Sequence, residues 1–310
     1  MKLEVARALL GVAALGVVTS ACAPSGPPAP KWTAPHRTAA AAPPPSAAPT
    51  SPGAPLAERL EVASAPPADE HVRVEALSIA GFLPAVLVVP PSSLGKRPLL
   101  VVTHGAGGRP EAHCDRYRQL THDEVFVLCT RGRAIDKLLP EDQRGYFYDG
   151  HRELGHEVRA AMASLVERYG DRVDLGGAMF AGYSQGASMG ILFLQEQATE
   201  PALFSRVLLV EGGFADWNIA LSERMHRAGV EKVALVCGRT KCQDAGARSI
   251  AWMKKGGLPA QITYAQGAGH TSEGTVHPLV DQAFFWLVQG DPRFREHDAD
   301  AVTRNFGPSK

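Results

Sequence analysis

Gly182-Tyr183-Ser184-Gln185-Gly186 is the stretch of sequence that decides the fold of this chain. An apolar run precedes it, Gly177-Ala178-Met179-Phe180-Ala181, and a run typical of a helix follows it, Ala187-Ser188-Met189-Gly190-Ile191-Leu192-Phe193-Leu194. The pattern G-x-S-x-G between a strand and a helix predicts a sharp turn that holds the serine hydroxyl out at the edge of a sheet. Flanking glycines remove Cβ atoms that would clash in such a turn, and the start of a helix favours developing negative charge. We therefore interpret Ser184 as a nucleophile rather than as an incidental serine at the end of a Gly-rich strand.

Two other apolar runs end in loops that suit the same chemistry. Pro98-Leu99-Leu100-Val101-Val102-Thr103 leads into His104-Gly105-Ala106-Gly107-Gly108, and backbone N–H groups of such a glycine-rich loop can approach a substrate closely. Gln261-Ile262-Thr263-Tyr264 leads into Gly267-Ala268-Gly269-His270, which places a histidine just past a late strand. A serine followed by a late histidine fits the chain order nucleophile, acid, base. The three features together predict acyl-transfer chemistry.

From about residue 72 to residue 288 the chain resembles the α/β-hydrolase superfamily, and its three loops look like those of the esterase/lipase and dienelactone-hydrolase-like branches. The resemblance implies an α/β-hydrolase fold, with a mostly parallel central sheet and helices on both faces. It implies that the serine attacks a carbonyl carbon and that the histidine takes the serine proton. It also implies an oxyanion hole formed by the backbone N–H groups of Ala106 and Gln185, with Gly107 as a further candidate.

The apolar pattern along the chain is consistent with this fold class. Residues 71–77 and 83–89 predict an antiparallel opening pair of strands. The later runs are almost continuously apolar, which is typical of parallel strands covered on both faces. These later strands are predicted at 99–103, 125–129, 178–181, 207–210, 233–236 and 262–264, and helices are predicted at 155–169 and 279–288.

The acid that should orient His270 has several candidates. In many relatives it lies three residues after a strand-ending glycine, but here the residue three positions after Gly238 is Lys241. We expect the next carboxylate, Asp244, to be the acid. Glu211 at the end of the preceding strand is the alternative, because some branches of the superfamily carry the acid there. Asp216 and a site without an acid are the remaining alternatives.

The N-terminus is typical of a bacterial export signal. A basic start is followed by an apolar stretch at 9–18 that is too short to span a bilayer comfortably. Thr19-Ser20-Ala21-Cys22 resembles the lipobox of bacterial lipoproteins, in which the cysteine is lipidated. By that resemblance, the absence of Asp after Cys22 implies an outer-membrane anchor. An ordinary secretory signal with a chance cysteine is the alternative.

The other cysteines suit an exported domain. Without Cys22, four of the five cysteines remain, and an even number in such a domain indicates disulfides. In the resembling fold, the strands that end at Cys129 and Cys237 lie on opposite sides of the nucleophile strand. The resemblance therefore implies the local pairs Cys114–Cys129 and Cys237–Cys242, and four buried thiols are the alternative. A zinc site is disfavoured because there is neither a C-x-x-C pair nor a paired histidine motif.

Composition bounds the remaining possibilities. We divide the 310 residues into a signal and lipobox (1–22), a Pro/Ala-rich disordered tether (23–68), an α/β-hydrolase catalytic domain (69–290) and a tail (291–310). The formal net charge is zero, and without a basic stripe this argues against nucleic acid as a partner.

We expect no cofactor and no metal, and the sequence leaves the oligomeric state open. The expected function is hydrolysis of small carboxylic esters. An amidase or peptidase with the same triad, or a tethered binding module without activity, are the alternatives.

Overall fold

The computed structural model describes residues 71–196 and 201–294, and the fold is given for those residues. The predicted signal and tether (1–68) lie outside the described residues, and so does most of the predicted tail. The strands are β1 (Arg73–Leu77), β2 (Ala85–Val89), β3 (Arg97–Thr103), β4 (Phe126–Cys129), β5 (Arg133–Ala134), β6 (Tyr146–Phe147), β7 (Val173–Tyr183), β8 (Arg206–Val210), β9 (Lys232–Cys237) and β10 (Ala260–Tyr264). The helices are α1 (Pro110–Leu120), α2 (His151–Tyr169), α3 (Gln185–Glu196), α4 (Ile219–Arg227), α5 (Thr240–Lys255) and α6 (His277–Val288).

Eight of these strands form one central sheet in the order β1-β2-β4-β3-β7-β8-β9-β10. Strand β2 is antiparallel to both of its neighbours, and the other pairs of adjacent strands are parallel. The mostly parallel sheet with helices that the sequence predicts is therefore confirmed. The carboxyl ends of the parallel strands lie at one edge, which is where ligands bind in such sheets.

Helices α1, α4 and α5 were not predicted, and further differences from the predicted elements lie where polar residues interrupt the apolar pattern. Strand β7 begins at Val173, five residues before the predicted start. Residues 174 to 177 are partly or fully exposed, so this part of the strand lacks the apolar run from which the strand was predicted. The register of β7 against β3 shifts between Pro98 and Leu100, so this early part pairs separately. The β5–β6 hairpin, with strands of two residues each, leaves no periodic signal and was not predicted.

Both faces of the sheet are buried under helices. Helices α1 and α6 cover one face, and helices α2, α3, α4 and α5 cover the other. Neighbouring strand residues alternate between the two cores, so that Val101 contributes to one and Val102 to the other. On the α3 face, the rings of Phe180 and Phe193 pack edge to face with centroids 5.7 Å apart. Burial on both faces explains the nearly continuous apolar strands and holds their carboxyl ends in a fixed arrangement.

The structure contains both disulfides that the resemblance implies. Cys114 in α1 is bonded to Cys129 at the end of β4, with Cα atoms 5.8 Å apart. Cys237 at the end of β9 is bonded to Cys242 in the first turn of α5, with Cα atoms 5.5 Å apart. Each bond therefore ties a strand end to a neighbouring helix beside the carboxyl edge of the sheet.

The folded domain continues past residue 290. Asp291 accepts a hydrogen bond from the Arg206 guanidinium at 2.7 Å, and Phe294 packs against Phe284 with ring centroids 6.0 Å apart. Among the described residues, no helix combines the length and the apolar character that a membrane crossing requires.

Candidate active site

Ser184 lies in the sharp turn between β7 and α3. Its backbone has a φ of 51°, in the left-handed region that costs a non-glycine residue about 1–3 kcal/mol. Neighbouring strands hold the turn, because the Ser184 N–H donates to the Val210 carbonyl at 2.8 Å and the Gly186 N–H donates to the His104 carbonyl at 3.1 Å. A Cβ atom at Gly212 would collide with the Ser184 carbonyl oxygen, so glycine is required there. The elbow geometry expected from the sequence is present.

His270 connects this serine to a carboxylate. The Ser184 Oγ lies 2.6 Å from His270 Nε2, and His270 Nδ1 lies 2.8 Å from Glu211 Oε2. An ionised carboxylate can only accept, so Nδ1 carries the proton and Nε2 is free to accept from the serine hydroxyl. The Tyr183 hydroxyl donates to the His270 carbonyl at 3.1 Å and its ring stacks on the imidazole at 5.6 Å. These contacts fix the imidazole in the orientation that the serine needs.

Glu211 is the carboxylate at this site, directly after β8. Its side chain is fully buried and its backbone φ is 54°, so a second non-glycine residue of the site is held in the left-handed region. Oε1 accepts the backbone N–H groups of Gly238 at 2.5 Å and Arg239 at 3.0 Å, and Oε2 accepts from Arg239 Nε at 2.6 Å and from His270. Burial alone would raise the pKa of the Glu211 carboxyl, but these hydrogen bonds bring it below the usual value. The group is therefore ionised at neutral pH.

The expectation that Asp244 contacts His270 is wrong, and the alternative Glu211 takes that place. Asp244 lies within α5 on the exposed side of the helix. The loop closed by Cys237–Cys242 does reach the site, but it presents backbone N–H groups to Glu211 and then turns into a helix before Asp244 is reached. Asp216 is also exposed, and its carbonyl accepts from Gln195.

In the loop after β3, the backbone N–H of Ala106 is available as an oxyanion donor, as expected, but that of Gly107 is not. The Gly108 N–H donates to the Gly105 carbonyl at 2.9 Å, which closes a tight turn with Ala106 and Gly107 at its centre. The Gly107 N–H donates to the Tyr146 carbonyl at 2.8 Å, so Gly107 is excluded as an oxyanion donor. Within residues 71–196 and 201–294, the N–H of Ala106 has no protein acceptor, and neither does the N–H of Gln185 at the start of α3.

Comparison with known proteins bears on the fold. No family model matches the chain, and no curated protein matches its sequence. Among solved structures, the Thermus thermophilus protein TT1662 is 18% identical with a TM-score of 0.50, over 70% of this chain and 97% of that one. An esterase of the fungus Rhizomucor miehei is 14% identical (TM-score 0.48; 71% and 84% covered), and the dienelactone hydrolase-like promiscuous phosphotriesterase P91 from metagenomic libraries is 16% identical (TM-score 0.47; 76% and 94% covered).

This chain has the α/β-hydrolase fold. The sheet order with an antiparallel β2 and the elbow after β7 are its structural features. At identities below 20% the likeness concerns the fold alone.

Residues 131–148 contact both the elbow and the loop after β3. These contacts were not predicted from the sequence. The Gln185 carboxamide bonds the Tyr148 backbone twice, accepting from its N–H at 3.0 Å and donating to its carbonyl at 3.1 Å. The buried Glu157 carboxylate accepts the N–H groups of Arg131 and Gly132, each at 2.9 Å, and burial raises its pKa. The His104 ring lies 2.9 Å from the Arg131 carbonyl oxygen, so it joins the loop after β3 to this segment. No periodicity could have revealed these contacts, because they join single polar residues to backbone groups.

A cleft of about 50 Å³ lies next to Tyr183. Its polar lining includes His113, Arg116 and Glu273. Burial, together with the nearby His104, lowers the pKa of His113 to about 4, so this ring is uncharged at neutral pH. The cleft has room for only a few water-sized groups.

One group of potential metal ligands occurs among the described residues. The Glu211 carboxylate lies close to the sulfur atoms of Cys237 and Cys242. Those sulfurs are joined in a disulfide and are not available as the thiolates that a metal ion would need. The carboxylate is also engaged by four N–H donors, so this group fits a metal poorly.

Proposed function

We propose that this protein is a serine hydrolase that cleaves carboxylic esters through an acyl-enzyme intermediate. The observation that carries the proposal is the continuous chain of hydrogen bonds from the Ser184 hydroxyl through His270 to a buried, ionised Glu211. A serine hydroxyl is a weak nucleophile unless a base takes its proton, and a neutral imidazole with a fixed tautomer is such a base.

Each residue has a defined part in this reaction. The Ser184 Oγ attacks the ester carbonyl carbon while His270 Nε2 accepts its proton, and the Glu211 charge stabilises the imidazolium that forms. The N–H groups of Ala106 and Gln185 stabilise the negative oxygen of the tetrahedral intermediate. His270 then returns the proton to the leaving alcohol, whose departure leaves the acyl group on the serine. A water molecule, deprotonated by the same imidazole, attacks the acyl-enzyme and releases the carboxylic acid.

Small residues at the elbow support small substrates. Gly182, Gly186 and Ala187 lie next to the nucleophile in the chain, which fits an ester with a short acyl group or a small alcohol. We therefore expect p-nitrophenyl acetate to be turned over faster than p-nitrophenyl esters of long fatty acids.

Covalent labelling tests the nucleophile directly. A fluorophosphonate probe should label the wild-type protein at Ser184, and Ser184→Ala should abolish both labelling and hydrolysis of p-nitrophenyl acetate. Ser188→Ala is a matched control, because this hydroxyl lies one turn further along α3 and accepts the Gly213 N–H at 3.2 Å. Labelling of Ser184→Ala at another residue would refute the assignment. Faster turnover of p-nitroanilides than of esters would favour an amidase, and absence of labelling in the wild type would favour a binding module.

We also propose that the protein is anchored to the outer membrane through a lipid on Cys22, which lies outside the described residues. The support is the resemblance of residues 19–22 to a lipobox. In a bacterial host the wild type should fractionate with membranes, and Cys22→Ser should release it or block its processing. Recovery of the wild type as a soluble periplasmic protein would contradict this anchor.

A further inference from the structure

The loop from Cys237 to Cys242 holds both the acid and the base of the proposed triad. We call these six residues the carboxylate loop; the disulfide joins their two ends. The Gly238 N–H donates to Glu211 Oε1, and the Gly238 carbonyl accepts the N–H of Gly269, the residue before His270, at 3.0 Å. One peptide segment therefore sets the distance between the acid and the loop that carries the base.

Arg239 adds a charge to this arrangement. Its Nε lies 2.6 Å from Glu211 Oε2, the same oxygen that accepts from His270 Nδ1 at 2.8 Å. Its side chain is 41% exposed, whereas the Glu211 side chain is fully buried. A half-exposed surface arginine thus reaches inward to a carboxylate that is already bound by two backbone N–H groups. The hydrogen bonds from Ser184 through His270 to Glu211 do not include this fourth bond.

We propose that Arg239 is a positioning residue of this hydrolase, which holds the Glu211 carboxylate in the plane that His270 needs and extends activity to lower pH by disfavouring the imidazolium. The proposal rests on the proposed function. The guanidinium and the imidazole donate to one oxygen, so two positive charges share it whenever the imidazole is protonated. Removing the arginine charge should make protonation of the imidazole easier and should leave Oε2 with a single donor.

The size of the effect follows from the distances. The two donors lie at most about 5.4 Å apart across Oε2, and because the guanidinium is half-exposed and screened almost as in water, one charge at that distance corresponds to a shift of about 0.5–1 pH unit. Loss of one of the two bonds to Oε2 loosens the carboxylate, and a misplacement of that kind costs about 10- to 100-fold in kcat. Both effects are smaller than the loss expected when the acid itself is removed.

Other charged and titratable groups near the imidazole are Tyr183, Glu273 and Lys241, and we expect them to be unaffected when Arg239 is changed. Tyr183 bonds the His270 carbonyl, and burial together with the Glu211 charge raises the pKa of its hydroxyl, so it stays protonated at neutral pH. Glu273 follows His270 in the chain and pairs with His277 at 3.5 Å. Lys241 is the other cation of the carboxylate loop and is exposed.

Three variants test the proposal: Arg239→Gln, Arg239→Lys and Lys241→Gln. The first removes the charge and the donor fork, the second keeps the charge, and the third removes a charge of the same loop that lies on its exposed side. We would measure kcat and KM for p-nitrophenyl acetate from pH 5 to pH 9, and in parallel follow the His270 ring by NMR over the same range.

For Arg239→Gln we expect kcat to fall about 10- to 100-fold with KM nearly unchanged, and the acid limb of the kcat/KM profile to move up by about 0.5–1 pH unit. Arg239→Lys should restore the position of the acid limb but only part of kcat, since lysine lacks the planar fork. Lys241→Gln should resemble the wild type. The NMR titration should shift in the same direction as the acid limb.

The NMR readout separates failure of this inference from failure of the proposed function. If the wild type neither hydrolyses esters nor reacts with fluorophosphonate, the proposed function is wrong, yet the His270 titration still reports whether Arg239 acts on the imidazole. An unchanged His270 titration and an unchanged acid limb in Arg239→Gln would overturn the proposal. Equal shifts in Arg239→Gln and Lys241→Gln would also overturn it, because the effect would then come from the general charge of the loop.

Discussion

Replacement of Glu211 by glutamine should almost abolish activity while leaving the shape of the site intact. The two carboxylate oxygens face different donors, since Oε1 faces two backbone N–H groups and Oε2 faces Arg239 Nε and His270 Nδ1. A glutamine side chain has a single acceptor oxygen, and the backbone donors cannot move away or change their protonation. The amide oxygen should therefore take the Oε1 place and leave its NH₂ group facing the imidazole and the half-exposed arginine.

An NH₂ group at that position reverses the tautomer of the imidazole. His270 Nδ1 must then accept a hydrogen bond, so its proton moves to Nε2, which faces the Ser184 hydroxyl at 2.6 Å. An imidazole with its proton on Nε2 cannot take the serine proton. The loss in kcat from a wrong tautomer is about 10⁴-fold, which corresponds to about 5 kcal/mol of transition-state stabilisation. KM should change little, because the acid does not touch the substrate.

Hydrolysis of p-nitrophenyl acetate at pH 8 is the assay, with thermal unfolding measured alongside to show that each variant is folded. Asp244→Asn is the matched control, since it makes the same chemical change at a carboxylate on the exposed side of α5. It should retain at least half of the wild-type kcat. The assignment of the acid would be refuted if Glu211→Gln kept more than about a tenth of the activity, well above the loss that a reversed tautomer causes, or if Asp244→Asn were the crippling change.

The remaining predictions concern the disulfides and a buried carboxylate. Double replacement of Cys237–Cys242 by serine should lower kcat about 10-fold or more, because the loop that holds the Glu211 carboxylate loosens, and should lower the unfolding free energy by about 2 kcal/mol. The same change at Cys114–Cys129, which closes a longer loop, should lower the unfolding free energy by about 3 kcal/mol and reduce kcat less. Equal losses of kcat would contradict a positioning role for the first bond. Glu157→Gln keeps the oxygen that accepts two backbone N–H groups and removes a buried charge whose folded-state pKa is raised by burial, so it should raise the unfolding free energy by about 1 kcal/mol at pH 8. That gain in unfolding free energy should vanish below about pH 4, where the wild-type carboxyl is protonated in both the folded and the unfolded state. Denaturant unfolding of both proteins at pH 8 and below about pH 4 measures the gain. A gain that persists at low pH would show that the charge is not its cause.

Much of this protein could be predicted from short stretches of sequence. The elbow at Ser184 follows from a strand, two glycines and a helix within about a dozen residues, and its left-handed backbone is a local consequence of that pattern. The late histidine follows from chain order, and the local disulfide pairs follow from the order of strands in the resembling fold. The sheet follows from apolar runs that only a two-sided burial explains.

Tertiary structure alone decided which acid completes the site. Glu211 follows β8 and His270 follows β10, 59 residues later, and their contact depends on how far these two strands and the intervening β9 extend at the same edge of the sheet. The sequence shows that Asp244 is the nearest carboxylate after β9, but not that α5 begins at Thr240 and carries this residue to the exposed side. Likewise, the Gly107 N–H is taken by a carbonyl of a hairpin whose strands are too short to leave a pattern. The periodicity of a sequence indicates which face of a helix or strand is buried. A hydrogen bond between distant residues depends instead on the relative positions of two strand ends to within a fraction of an ångström. Those positions are set by packing across the whole sheet.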